Sequence, residues 1–192
     1  MSQKWHDKTF FLTKKILCKM NLGFWSGLKN DLDIFNDGLE PINLSLNPLS
    51  LKYLNDDADF QKKFTENYWN FKPKNFSLSK ILKKNNNYQI NKKIRVGYFS
   101  GDFKYHAVFQ LIQDLFLNHD KSKFEIYAYS TFKTEGLPRE KIIKNVDKFY
   151  DIDHLADDEI INLIASHSLD VAIDLSGYTV NNKSHLFEYD IS

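Results

Sequence analysis

The sequence is poor in cysteine, arginine and long apolar runs. Among 192 residues there is one cysteine, Cys18, which excludes an internal disulfide and a cysteine-based zinc site. The 26 basic and 25 acidic side chains leave a formal net charge of +1, which gives no basic footprint for nucleic acid. No apolar run approaches the length of a membrane span, and the apolar residues 10–12 are too few for a signal peptide. The sequence therefore predicts a soluble, cytoplasmic protein with neither a nucleic-acid nor a membrane partner.

Glycine and proline are also sparse, and the glycine spacing excludes the common nucleotide-binding loops. The chain has seven glycines and four prolines. Gly97 and Gly101 do not form G-x-G-x-x-G, and G-x-x-x-x-G-K-[ST] does not occur. The 42% hydrophobic and 15% aromatic content is nevertheless enough for a packed core.

The stretch from residue 94 to residue 106 organises the rest of the chain. Its apolar run stops at Ser100-Gly101, and a helical pattern resumes at Ala107, which is typical of the start of a parallel α/β layer. Further strands are predicted at 124–130, 148–152 and 170–175, separated by helical patterns that begin near Ala107, Pro138 and Asp157. This alternation predicts an α/β fold with a parallel, Rossmann-like sheet and helices on both faces.

The N-terminal part of the chain has a different pattern. Residues 1–72 carry apolar side chains at helical spacing and predict a helical lead-in of three helices. Pro73 and the lysine- and asparagine-rich residues after it predict a solvated linker over 73–93. The α/β lobe would then occupy residues 94–192. No self-similarity at about 34 residues is present, so no tetratricopeptide repeat is predicted in this chain.

Two strand-end loops, residues 100–106 and 176–182, are expected at the same edge of the sheet. Ligands of open α/β sheets bind beyond the carboxyl ends of the strands, so both loops are candidate binding elements. Histidine is the side chain that titrates near neutral pH, which makes His106 the natural general acid or base, although it could merely pack at a helix start. Asp102 could instead cap the helix or brace its loop, and Thr179 could instead form a turn. Tyr178 completes this set.

The remaining histidines do not indicate a metal site. His154 and His167 are expected on the surface, and neither has a second ligand at metal-binding spacing. His185 cannot be placed from its spacing. No metal and no other cofactor is predicted.

Four segments resemble the first catalytic lobe of the O-linked N-acetylglucosamine transferase family, above all its bacterial and SPINDLY-like members. They read K-I-R-V-G-Y-F-S-G-D-F-K-Y-H-A-V, K-F-E-I-Y-A-Y-S, F-Y-D-I-D and D-V-A-I-D-L-S-G-Y-T. The similarity is densest over residues 93–187. The D-F-x-x-H and D-L-x-G-Y-T pieces, in this order and at this separation, are specific together.

The resemblance implies a fold, a reaction and a set of substrates. The fold would be the N-terminal half of a GT-B glycosyltransferase, whose family joins this lobe to a tetratricopeptide array. The reaction would be inverting, metal-independent transfer of N-acetylglucosamine from UDP-GlcNAc, or of fucose in some SPINDLY-type members, to Ser or Thr of a protein.

The resemblance also implies roles for single residues. The family histidine that matches His106 lines the acceptor pocket and has been proposed as the base, and Asp102, Tyr178 and Thr179 would bind substrate beside it. Lys148 stands where animal members have a second histidine, so that role is not carried over.

The chain ends at Ser192, where the family continues into a second lobe. A fragment with little activity by itself is therefore expected. The alternative is a non-catalytic protein-interaction module that retains one glycosyltransferase lobe.

Overall fold

A computed structural model of the chain describes residues 3–38, 46–71, 92–179, 181–189 and 191. The chain divides into two compact units, residues 1–74 and 75–192. Most of the predicted linker, residues 72–91, lies outside the described residues.

The first unit is helical in its described residues, with one more helix, four residues long, than the three that its apolar spacing predicts. Its helices are α1 (Gln3–Asn21), α2 (Leu28–Asp37), α3 (Pro48–Leu51) and α4 (Ala58–Phe71). The core consists of seven buried apolar side chains, which are Ile16, Leu28, Phe35, Leu46, Leu51, Leu54 and Phe64. The buried carboxylate of Asp31 on α2 accepts hydrogen bonds from Lys15 and Lys19 on α1, each at 2.6 Å. These ion pairs connect the first two helices.

The second unit is built on a four-stranded parallel sheet, which confirms the predicted α/β fold. Its strands are β1 (Ile94–Ser100), β2 (Phe124–Ser130), β3 (Lys148–Asp151) and β4 (Val171–Asp174), in the order β3-β2-β1-β4. The connecting helices are α5 (Ala107–Asn118), α6 (Leu137–Asn145) and α7 (Asp157–His167), and a short 3-10 helix spans Ser184–Glu188. Of the helices that the structure describes, none combines the length and the apolar composition that a membrane crossing requires.

Two apolar layers cover the opposite faces of the sheet, because successive side chains of a strand point to opposite sides. On one face, residues of β1 and β2 pack against α5 and α6, in a cluster that includes Val96, Tyr98, Phe109, Phe116, Ile126, Ala128 and Ile142. On the other face they pack against α7 and the 3-10 helix, in a cluster that includes Phe99, Tyr127, Tyr129, Ile160, Ile161, Ile164 and Leu186. The prediction of helices on both faces is therefore confirmed.

Gly97 lies in the middle of β1 at a point where no side chain fits. A Cβ atom there would lie 2.5 Å from Leu169 Cδ1 and 3.1 Å from Tyr129 Cε2. Both neighbours are buried, so neither can move away freely. Close packing against the centre of the sheet, rather than backbone conformation, therefore requires glycine at this position.

We expect Gly97→Ala to lower the free energy of unfolding of the chain by about 1–3 kcal/mol, the usual effect of overpacking a core. Leu169→Val removes the Cδ1 atom that the new methyl group would meet, so the same substitution should cost less in that background. Urea denaturation of the wild type, the two single variants and the double variant measures the coupling. Equal effects of Gly97→Ala in both backgrounds would contradict the steric explanation.

His167 is half-buried, and the prediction that it lies on the surface is wrong. Its Nδ1 atom lies 2.8 Å from the hydroxyl oxygen of Tyr129, and its ring stacks on Tyr150 with centroids 4.6 Å apart. Burial lowers the pKa of His167, and the Arg95 guanidinium, which donates to the His167 carbonyl at 2.8 Å, lowers it further. Burial also raises the pKa of the Tyr129 hydroxyl. The imidazole is therefore held neutral within a tyrosine cluster.

The lowered pKa of His167 gives the chain an acid-sensitive stability. As pH falls through the ordinary histidine value of about 6.5, the unfolded chain binds a proton that the folded chain resists, so the free energy of unfolding decreases. The decrease stops once the folded imidazole is protonated as well. His167→Gln removes the titrating group, so we expect a shallower decrease between about pH 7 and pH 5 in urea denaturation. A slope as steep as that of the wild type would contradict this assignment.

Candidate active site

The crevice of this lobe is defined as the edge of the sheet beyond the carboxyl ends of β1 and β4, where the strand order has its switch point. The connections from β1 to β2 and from β2 to β3 run over the face of α5 and α6, whereas β4 is reached from β3 through α7 on the other face. Residues 96–99 of β1 pair in parallel with residues 171–174 of β4, so both strands end at the same level. Chains that leave such a switch point in opposite directions open a ligand crevice beyond the strand ends.

Short hydroxyl side chains join the loops at this edge. The Gly101 N–H donates to Ser176 Oγ at 3.2 Å, and Thr131 Oγ1, just after β2, donates to the Asn181 carbonyl at 2.8 Å. A Cβ atom at Gly101 would lie 3.5 Å from Asn181 Cβ, which shows how closely the two loops approach. The loop after β1 and the loop after β4 therefore meet, as the sequence predicts.

The loop after β4 is shaped by its own polar residues. Asp174 Oδ1 accepts from the backbone N–H of Ser176 at 2.8 Å and of Gly177 at 3.1 Å, while Oδ2 accepts from Ser184 Oγ. Gly177 has a φ of 52°, in the left-handed region that glycine adopts without strain. The Thr179 hydroxyl donates to the Ser176 carbonyl at 2.8 Å, so it forms the turn that the sequence allows for. Tyr178 is half-buried between these residues.

His106 begins α5 and faces solvent at the crevice. Its side chain is 42% exposed, and its Nδ1 atom accepts from the Val108 N–H at 3.3 Å, which makes His106 the N-cap of the helix. The sequence left open a capping role for Asp102, but the structure gives that role to His106. The Asp102 side chain is only 12% exposed, and its Oδ2 atom lies 3.5 Å from the same Nδ1 atom.

One interaction at this edge could not be predicted from the sequence. Lys104 Nζ lies 4.9 Å above the ring of the exposed Phe132, which places a cation and an aromatic face at the crevice. No periodic pattern links these two residues, because they follow different strands.

Asp157, at the start of α7, accepts from Lys183 Nζ at 2.7 Å and pairs with His185 Nε2 at 2.8 Å. Burial alone would raise the pKa of Asp157, but the hydrogen bonds from Lys183 and His185 outweigh it and lower the pKa. These contacts hold the segment after β4 against the start of α7.

Within the part of the chain that the structure describes, no group of three or more His, Cys, Asp or Glu side chains is arranged to hold a metal ion. The arrangement at the crevice instead offers one exposed imidazole, a nearly buried carboxylate beside it and a half-exposed lysine.

The family model of glycosyl transferase family 41 matches residues 74–190, which include the whole sheet and both loops of the crevice. The chain belongs to this family. The D-F-x-x-H and D-L-x-G-Y-T segments, on which the sequence resemblance depends, are the loops that meet at the crevice of this family 41 lobe.

Known proteins are similar over part of this chain. The probable UDP-N-acetylglucosamine–peptide N-acetylglucosaminyltransferase SEC of Arabidopsis thaliana is 27% identical over 50% of the chain and 10% of its own length. The probable enzyme SPINDLY of Petunia hybrida is 24% identical over 81% of the chain and 16% of its own length. A mutant O-GlcNAc transferase of Thermobaculum terrenum, seen in a solved structure, is 25% identical over 50% of the chain and 19% of its own, with a TM-score of 0.49. The chain thus spans only 10–16% of the length of these two plant relatives.

The buried hydrogen bond between Ser176 and Gly101 should determine how firmly the two loops of the family 41 lobe are joined. Ser176→Ala leaves the Gly101 N–H without its acceptor, at a cost of about 1–3 kcal/mol for a buried donor. We therefore expect the Gly101 amide to exchange its hydrogen about tenfold faster or more. Ser166→Ala, at an exposed helix position where Oγ donates to the Leu163 carbonyl, is the matched control. Unchanged exchange at Gly101 in Ser176→Ala would show that the contact does not hold the loops together.

Proposed function

We propose that this family 41 lobe is the N-terminal half of a GT-B glycosyltransferase. In the complete protein it would help transfer N-acetylglucosamine from UDP-GlcNAc to a Ser or Thr hydroxyl of a protein acceptor. Family membership supports this proposal, as do the relatives that are named as peptide N-acetylglucosaminyltransferases. The observation that carries it is the exposed imidazole of His106 at the switch point of the sheet.

The reaction that we propose is a single displacement. His106 Nε2 accepts the proton of the acceptor hydroxyl as the hydroxyl oxygen attacks the anomeric carbon of the sugar. The bond between that carbon and the diphosphate oxygen breaks, and UDP leaves with the electron pair. Attack opposite the leaving group inverts the anomeric configuration, and the proton remains on the imidazole until solvent removes it.

The other predicted residues act around this imidazole. Tyr178 and Thr179 are proposed to bind substrate from the loop after β4, which contacts the loop of His106 through Gly101 and Ser176. Asp102 contributes through its carboxylate beside the ring. Because the Thr179 hydroxyl and backbone N–H donate to the Ser176 carbonyl and the Thr179 carbonyl accepts from Asn182, Thr179 would contact a substrate through its methyl group.

The proposal also covers the cofactor requirement, the cellular compartment and the neighbouring domains, on the basis of the sequence and the family resemblance. The transfer is proposed to need no metal and no other cofactor. The lobe is proposed to work in the cytoplasm and in association with tetratricopeptide repeats elsewhere in the protein.

His106→Ala in the complete protein should lower turnover about a hundredfold or more, because general-base catalysis typically contributes that much. UDP binding should change far less, since the imidazole acts on the acceptor hydroxyl. Transfer of radiolabelled GlcNAc to protein and calorimetric titration with UDP measure the two effects separately.

The matched control is His154→Ala, which removes an exposed histidine from the loop after β3 at the same edge of the sheet. Its turnover should stay close to that of the wild type. Wild-type turnover in His106→Ala would remove His106 from the mechanism. A complete wild-type protein that binds UDP-GlcNAc or protein but transfers no sugar would favour the non-catalytic interaction module.

A further inference from the structure

We propose that Asp102 is a positioning residue that selects the tautomer of His106 in which Nε2 can accept a proton. The consequence for sugar transfer rests on the proposed function, but the tautomer itself is a property of this chain and can be measured in it. The inference comes from two contacts around one nitrogen atom, His106 Nδ1.

Two partners make opposite demands on that nitrogen. The Val108 N–H, at 3.3 Å, needs a lone pair on Nδ1, and this places the imidazole proton on Nε2. The Asp102 carboxylate, at 3.5 Å, needs a proton on Nδ1, and this leaves a lone pair on Nε2. Only the second arrangement gives a neutral imidazole whose outward nitrogen can act as a base. The tautomer is therefore decided by which partner holds Nδ1.

The surroundings of the two partners favour Asp102. A hydrogen bond to a carboxylate is roughly twice as strong as one between neutral groups. The Val108 contact is long and solvent-exposed, so water can take over the N–H when the imidazole leaves it. Asp102 is 8% exposed, so water satisfies its charge poorly and the imidazole N–H is a better partner for it.

The position of Asp102 is fixed from behind by buried backbone contacts. Its N–H donates to Ser100 Oγ at 3.0 Å, and Ser100 is fully buried at the end of β1. The preceding residue, Gly101, donates to Ser176 Oγ across the crevice. The loop that carries the Asp102 carboxylate is thus held in place by these hydrogen bonds. A carboxylate that orients an imidazole must itself be held in place.

Lys104 is the other charged group at the carboxylate. Its Nζ atom lies 3.7 Å from Oδ1, whereas His106 lies against Oδ2, so the two partners use different oxygens. The lysine Nζ atom also lies 4.9 Å from the centroid of the Phe132 ring. Asp102 can therefore bind both at once.

In the transfer step, Asp102 would act only through His106. The Nδ1–H donates to Oδ2, Nε2 takes the proton of the acceptor hydroxyl, and the resulting imidazolium is stabilised by the adjacent carboxylate. Because the carboxylate is nearly buried, it has little surface with which to touch a substrate directly. This favours a positioning role for Asp102 over direct substrate binding.

The first test uses the chain as it is. Long-range proton–nitrogen NMR spectra distinguish Nδ1–H from Nε2–H in neutral histidine, and they would be recorded at about pH 8.5, well above the ordinary histidine pKa of about 6.5. We expect mainly the Nδ1–H form at His106 in the wild type and mainly the Nε2–H form in Asp102→Asn, which keeps the shape of the side chain. The matched control is Asp157→Asn, which alters the contact of His185 and should leave the His106 signals unchanged. The Nε2–H form in both proteins, or the Nδ1–H form in both, would overturn the proposal.

The second test measures transfer by the complete protein. A positioning role predicts that Asp102→Asn lowers kcat about tenfold or more while KM for the protein acceptor stays the same. Asp102→Glu should recover part of the loss because it restores the charge. A rise in KM with unchanged kcat would instead show that Asp102 binds substrate. If the complete protein transfers no sugar at all, the proposed function fails, whereas the tautomer measured in this chain still decides the role of Asp102.

Discussion

The second unit depends on the central position of β1, which pairs with a parallel strand on each side and is covered on both faces. Such a strand carries mainly apolar side chains along its buried length, and at Gly97 it has no room for any side chain. The chain can leave this environment only at the carboxyl end of the strand. The order β3-β2-β1-β4 makes that end a switch point, so the loop that follows β1 opens onto a crevice.

The loss of sheet hydrogen bonds at the end of β1 explains why the polar groups in the crevice are hydrogen-bonded to one another. Backbone N–H and C=O groups that leave a sheet lose their ladder partners, and when buried they need new ones. Ser100, Ser176 and Thr131 supply those partners through short side chains that lose little conformational freedom. The imidazole of His106 is therefore exposed to solvent on a loop whose backbone is held by hydrogen bonds, a combination that suits the proposed role.

The strands, the helices and the meeting of the two loops could be predicted from the sequence. Buried parallel strands are nearly continuous apolar runs, so β1 and β2 can be identified from their own sequences alone. The apolar residues of α5 recur at helical spacing, which identifies the helix. The pairing of His167 with Tyr129 could not be predicted, because 38 residues separate them and only the folded sheet brings them together. The contact of His106 with Asp102 is hidden for another reason. The two residues are four apart in a loop, where that spacing does not fix the distance between side chains.

In the proposed mechanism, His106 has two roles that use the same nitrogen. As a helix cap it contributes about 1 kcal/mol through a lone pair on Nδ1, whereas as a base it needs a proton there. General-base catalysis typically lowers a barrier by about 3 kcal/mol or more, so the loss of one exposed cap is the smaller effect. The capping bond is long and solvent-exposed, so water can replace it, whereas water solvates the nearly buried carboxylate of Asp102 poorly. The stability of α5 and the proposed chemistry of the crevice thus depend on the same atom, His106 Nδ1. The burial of Asp102 favours the contact that the proposed chemistry needs.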